Sequence, residues 1–197
     1  PTIARPRRPL SMRSSTASCS IRFSFRTMIS GAPSSNNLLS RLLRLITRRY
    51  KSFKSLLEGL DYIFPNQDEA YQMTGESDPE KAALRILEYG VNCVVVTCGK
   101  HDCIIVSQTV EGVNRVPSCE VLNPVDSTGA GDGFIGGFLA ARMRGFDVQQ
   151  CARIGHAVAA NVVMEFGGHS GSPDIAQLQQ FARDCEDTDL LQLIDCM

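Results

Sequence analysis

The chain has 197 residues, 43% of them apolar and 7% aromatic, with no Trp and a net charge of −1. That length can bury a core for one domain, and so few aromatic residues argue against a stacking platform for single-stranded nucleic acid. The near-neutral charge hides an asymmetry: residues 1–57 carry twelve Arg or Lys and no acid, and residues 58–197 carry eight basic and all 21 acidic groups, a balance of −13. The eight cysteines include no C-x-x-C pair, and the three histidines complete no zinc-type spacing. Scattered thiols suit a reducing compartment, so a cytoplasmic location is expected. No apolar run reaches the roughly 20 residues of a membrane span, and the basic segment lacks a nucleic-acid-binding motif. Neither membrane nor nucleic acid is therefore expected as a partner.

Residues 1–27 are rich in Arg, Ser and Pro and show no period. They are expected to be a disordered or aberrant segment, with the composition of a transit peptide as the alternative. Residues 28–197 are expected to form the folded unit. Leu38, Leu39, Leu42, Leu43 and Ile46 fall at helical spacing with Arg41, Arg44, Arg48 and Arg49 on other faces, which predicts a surface helix with a solvated basic side. Ser55–Leu60 reads as a second short helix, and Asp61–Phe64 as a strand closed by Pro65-Asn66.

Asp68–Thr74 then reads as a helix stopped by Gly75. Another helix is expected from the Asp78 cap and Pro79 to Tyr89. Val94–Thr97 is a continuous apolar strand, the mark of burial on both faces in a parallel sheet. Asp102–Gln108 and Val113–Val116 predict a hairpin. Gly133–Arg144, Val148–Glu165 and Asp174–Asp187 predict three further helices. Such alternation indicates an α/β layered fold.

The strongest local signal is Asp126-Ser127-Thr128-Gly129-Ala130-Gly131-Asp132, followed by a helix with the small pair Gly136-Gly137. Small residues let backbone N–H groups converge, and the helix N-terminus adds partial positive charge, so the turn suits an anion. It is neither a Walker A loop nor a Gly-x-Gly-x-x-Gly run. A carboxylate at its end, Asp132, can accept a hydroxyl proton during phosphoryl transfer. An ordinary helix cap is the structural alternative.

The run resembles the C-terminal signature of the ribokinase-like, PfkB-type carbohydrate kinases. The resemblance implies Asp132 as catalytic base and the amides of Gly129, Ala130 and Gly131 as an anion hole. Asn66-Gln67-Asp68-Glu69 resembles the family's Asn-x-x-Glu element, which implies that Asn66 and Glu69 organise nucleotide phosphates and Mg2+, Glu69 acting indirectly. Val94–Lys100 is similar to the strand and turn that contact nucleotide, which implies roles for Thr97 and Gly99. Gly155–Asn161 resembles the helix lining the adenine pocket, with His156, Ala159 and Ala160 as implied contacts. Phe166-Gly167-Gly168-His169 resembles a loop that in some members binds a monovalent cation with the first signature Asp, here Asp126, which implies K+.

The implied fold is α/β, with a mostly parallel central sheet flanked by helices. The implied cofactors are ATP and Mg2+. Several stretches are most similar to adenosine kinases, including Asp61–Ala70 and Cys151–Val163. Pro65, Ser127-Thr128 and Gly168–Gly171 depart from that pattern, which keeps sugar kinases open as an alternative. Members of the family carry a longer N-terminal part that supplies the lid and most acceptor contacts, and residues 1–50 do not resemble it. The expected function is transfer of the ATP γ-phosphoryl group to a small-molecule nucleoside or sugar. A nucleotide-binding module without catalysis, and a basic-tail interaction protein, are the competing readings.

Overall fold

The computed structural model describes residues 56–168 and 171–197. The elements expected around Leu38–Ile46 and at residues 1–27 lie outside the described residues, and so does His169. Leu56 and Leu57 are helical, in agreement with the second short helix.

Asn66 and Asp78 each cap the helix expected at that place. Helix α1 (Gln67–Thr74) is held by reciprocal bonds between Asn66 and Glu69, and α2 (Pro79–Leu87) starts on Asp78 with Pro79 at its first position. Strand β1 (Tyr62–Ile63) pairs in parallel with β2 (Cys93–Thr97). Strands β3 (Cys103–Ser107) and β4 (Asn114–Val116) follow in antiparallel register, and the sheet order is β1-β2-β3-β4. The parallel pairing in the described sheet is therefore confined to the β1–β2 step. Val94–Val96 are buried as expected and Thr97 partly so, although β2 has one parallel and one antiparallel neighbour.

Both faces of the sheet are covered. Val94, Val96, Ile104 and Val106 pack against Ala82, Ala83 and Ile86 of α2, while Val95, Cys103 and Ile105 face Phe134, Phe138 and Ile154 on the other side. Full burial of a Val or Ile side chain stabilises the fold by about 1.5–3 kcal/mol. Period-2 alternation in β2 thus feeds two separate cores, which is why the run is apolar throughout.

On the second face, α3 (Ala130–Met143) and α4 (Val148–Val162) form an antiparallel pair. Their closest approach uses glycine: a Cβ at Gly155 would lie 2.8 Å from the Phe134 carbonyl oxygen, and one at Gly137 2.8 Å from a Val158 methyl. Helix α3 begins three residues earlier than the sequence suggested. The helix expected from Asp174 to Asp187 is α5 (Ile175–Asp184), and a helix that was not expected, α6 (Thr188–Asp195), follows it. Asp187 separates them by accepting from Leu190 N–H at 2.9 Å while both its oxygens pair with Arg153. No described helix is long and apolar enough to cross a membrane.

Candidate active site

Four aromatic side chains determine where the polar residues converge. Tyr62 meets Phe138 edge-on at 5.5 Å between ring centroids, and Phe64 meets Phe138 at 5.0 Å and Phe134 at 6.5 Å. The chain advances from Tyr62 to Phe64 while α3 is read backward from Phe138 to Phe134. The N-terminus of α3 therefore lies at the C-terminal ends of β1 and β2. Antiparallel packing of Gly133 on Val162 brings the C-terminus of α4 to the same edge. Open α/β sheets bind ligands at this end of their parallel strands.

Asn66 and Thr97 meet there. They form a parallel bridge just beyond the β1–β2 ladder, and Thr97 N–H donates to the Pro65 carbonyl at 3.0 Å. Asn66 Oδ1 accepts from Glu69 N–H at 2.8 Å, and Glu69 Oε2 accepts from Asn66 N–H at 2.8 Å. The Asn-x-x-Glu element is thus a capping box, and one oxygen of Glu69 is used within it. Gly99 turns the chain from β2 toward β3, and Ser118 Oγ donates to the next carbonyl, that of Lys100, at 2.5 Å. Nothing in the sequence signalled the Ser118 contact, because 18 residues separate the two positions.

The glycine-rich run forms the entry to α3. Gly129 sits at φ +81° as the N-cap and offers no side chain to the helix amides. Ala130 N–H reaches the Ser127 carbonyl at 3.3 Å, and Gly133 N–H makes the first helical bond, to Gly129, at 2.8 Å. The amides of Gly131 and Asp132 lie between them in the first turn, where no carbonyl four residues back is available within the helix. Asp132 is exposed in that turn, three residues past Gly129, which is itself the cap.

Asp126 ties this run to the segment after α4. Its Oδ1 accepts from Thr128 N–H at 2.9 Å and its Oδ2 from Gly167 N–H at 3.2 Å. Bonds from Thr128 and then Gly167 hold its carboxyl below the usual carboxylate range. Val125 and Asp126 N–H both donate to the Val163 carbonyl, at 2.7 and 3.2 Å.

The α4 residues divide. Ala159 is half-buried near the edge and Ala160 is buried. His156 is 6% exposed, packed edge-on against Phe134 at 4.9 Å, and its Nε2 has no hydrogen-bond partner. Burial pushes its pKa down to about 4, although the Val116 backbone acts in the opposite direction. The expectation that His156 contacts nucleotide is corrected accordingly: on this packing it is a core side chain. An open groove of about 580 Å³ lies elsewhere, lined by Arg115, Phe146, Gln150, Arg153 and Asp189 at the N-terminal end of α4.

No group of three or more His, Cys, Asp or Glu side chains among the described residues could hold a metal. Burial also keeps the core thiols neutral, pushing Cys93 and Cys151 up to about 11 and Cys103 up to about 12. Glu69, with one uncommitted oxygen, fits a hydrated Mg2+ shared with phosphate and does not fit a protein-chelated ion.

Residues 23–175 match the pfkB family carbohydrate kinase description. An uncharacterized sugar kinase of Archaeoglobus fulgidus is 34% identical over 120 residues, which cover 61% of this chain and 46% of that protein. A cytidine kinase of Thermococcus kodakarensis is 31% identical over 126 residues, 62% of this chain and 44% of that protein. A ribokinase II from E. coli, solved in complex with ATP and Mg2+, superimposes with a TM-score of 0.63 at 28% identity, covering 73% of this chain and 46% of that one. The chain spans less than half the length of these relatives. The fold is ribokinase-like, and the chain belongs to the pfkB family of carbohydrate kinases.

Proposed function

We propose that residues 28–197 provide the ATP-facing part of a kinase site that phosphorylates the hydroxymethyl group of a nucleoside, adenosine foremost. The observation that carries this reading is the position of Asp132. It is an exposed carboxylate in the first turn of α3, directly behind the Gly129 turn and at the sheet edge that holds Asn66, Glu69 and Thr97. In this reading Asp132 takes the proton of the acceptor hydroxyl as its oxygen bonds to the γ-phosphorus, the bond from that phosphorus to the bridging oxygen breaks, and ADP leaves. The amides of Gly129 and Gly131 hold the developing charge, while Ala130 N–H, the third amide expected there, is already engaged by the Ser127 carbonyl. Mg2+, when bound, neutralises phosphate charge, and Glu69 and Asn66 orient its waters. Thr97, Gly99 and the half-buried Ala159 border the nucleotide, with the buried Ala160 packed behind them.

Adenosine is favoured by the stretches Asp61–Ala70 and Cys151–Val163, and the cytidine kinase relative supports the nucleoside class. The sugar kinase and ribokinase relatives support a sugar acceptor as the second candidate. The test is ADP release from ATP and Mg2+ in the presence of adenosine, cytidine or ribose. Release with adenosine above the other two supports the proposal, and release only with ribose replaces the acceptor.

A second reading rests on the length of the match: a chain spanning less than half of its relatives can bind nucleotide without transferring phosphate. ATP binding with no ADP release on any acceptor selects that reading. The absence of both sinks the kinase assignment for this chain.

A further inference from the structure

We propose that Ser118 is a positioning residue for the nucleotide: its hydroxyl latches the turn at residues 98–102 to the segment that leads from β4 into the glycine-rich run. The proposal deepens, and rests on, the reading of Thr97 and Gly99 as nucleotide contacts.

The turn between β2 and β3 has little of its own to hold it. Gly99, Lys100 and His101 are exposed. Gly99 sits at φ +65°, with no atom within 4 Å of where a Cβ would be. One backbone bond closes the turn, from His101 N–H to the Cys98 carbonyl at 3.2 Å. Two contacts reach it from outside. Arg115 Nη1 stands 3.6 Å from Asp102 Oδ2, but both side chains are exposed and Arg115 is already engaged by Glu80 at 2.7 Å. An exposed pair of that kind adds little. The other contact is Ser118 Oγ, which donates to the Lys100 carbonyl at 2.5 Å. Among the described residues, no other side chain bonds to the backbone of this turn.

The surroundings of Ser118 give the latch its effect. Val116, two residues before it, is buried and pairs with Cys103 in the sheet. Cys119 and Val121, just after it, pack against the core that holds Phe134, Phe138 and Ile154. The same segment then enters the Asp126 run. Ser118 thus fixes the turn that carries Gly99 relative to the chain that forms the phosphate turn. Binding loops depend on scaffold contacts of this kind for their position. Without the hydroxyl, the Lys100 carbonyl turns to water and Gly99 has no side chain to restrain it.

ATP titration with Mg2+ and amide hydrogen exchange by NMR, both on the full chain, test this in Ser118→Ala, Ser118→Val and Ser118→Thr. Val and Thr have nearly the same shape, so that pair separates the hydroxyl from its volume. Loss of one hydrogen bond predicts exchange at His101 N–H faster by about fivefold in the Ala and Val variants, and ATP binding weaker by about fivefold. Ser118→Thr should restore both, and exchange at Val95 and Ile105 should not change. Unchanged exchange at His101 in Ser118→Ala overturns the latch, and failure of Thr to restore it overturns the role of the hydroxyl. Faster exchange with unchanged ATP affinity overturns the positioning role and leaves Ser118 a purely structural contact. Wild type that binds no ATP overturns the nucleotide reading and the positioning role with it, while the exchange data still decide the latch.

Discussion

Gly129 and Gly168 meet backbone to backbone, with no room for a side chain on the Gly129 side. A Cβ there would be 2.5 Å from the Gly168 oxygen and 2.7 Å from its Cα, and the residue's φ of +81° disfavours any L side chain. Gly129→Ala is expected to destabilise the chain by about 1–3 kcal/mol through strain alone. It should weaken ADP binding as the turn moves away. Gly168→Ala is the control: its nearest neighbour is 3.6 Å away, an ordinary contact, so stability should change by about 0.5 kcal/mol or less. Thermal melts and ADP titrations of both variants check the pair.

Asn66 and Glu69 separate structural from functional roles. Asn66→Ala removes the cap and should cost about 0.5–2 kcal/mol. Glu69→Gln keeps an acceptor for Asn66 N–H and should leave the melting temperature nearly unchanged. It removes the charge beside a hydrated ion, so the Mg2+ dependence of ATP binding should weaken. Equal Mg2+ dependence in wild type and Glu69→Gln would assign Glu69 to the capping box alone.

His156 makes the fold acid-sensitive. Its pKa is about 4 in the fold against 6.5 ordinarily. The unfolded chain therefore binds the proton more tightly. The contribution is complete above pH 6.5 and is lost as pH falls toward 4, about 3 kcal/mol in all. His156→Leu removes this term and leaves no unpartnered Nε2. Urea melts between pH 4 and 7 should show a flatter pH dependence for the variant. A wild-type profile that is already flat across this range would mean that His156 is not buried as described.

The α3–α4 contact has no slack at Gly155. Gly155→Ala would set a methyl 2.8 Å from the Phe134 carbonyl oxygen, and the expected loss is about 1–3 kcal/mol. Denaturant midpoints check it. Gly136, with nothing within 4 Å, should accept Ala without loss.

Much of this was legible in the sequence because local rules decide it. Asp78 announced its helix, and the apolar run at Val94–Thr97 announced burial on both faces. The glycine run announced a turn into a helix. The bonds that assemble the edge were not legible, because they join residues distant in the chain. Asp126 reaches Gly167, Ser118 reaches Lys100, and Phe64 sets the direction of α3. His156 could be read either as a nucleotide contact or as a packed side chain, because a helical period says which residues share a face and not what covers it; Phe134 covers this one. The helix read from Asp174 ended at Asp187 in the sequence, but α6 beyond it was not read, although Asp187 caps it locally through Leu190 N–H.

The most direct test is the amide NMR spectrum of the full chain during titration with ATP and Mg2+. Shifts are expected at Gly129–Asp132, Asn66–Glu69 and Thr97–Gly99, with Arg115, Gln150 and Asp189 in the separate groove unmoved. Shifts confined to that groove, or none at any of these positions, would contradict the placement of the phosphate site at the Asp132 edge.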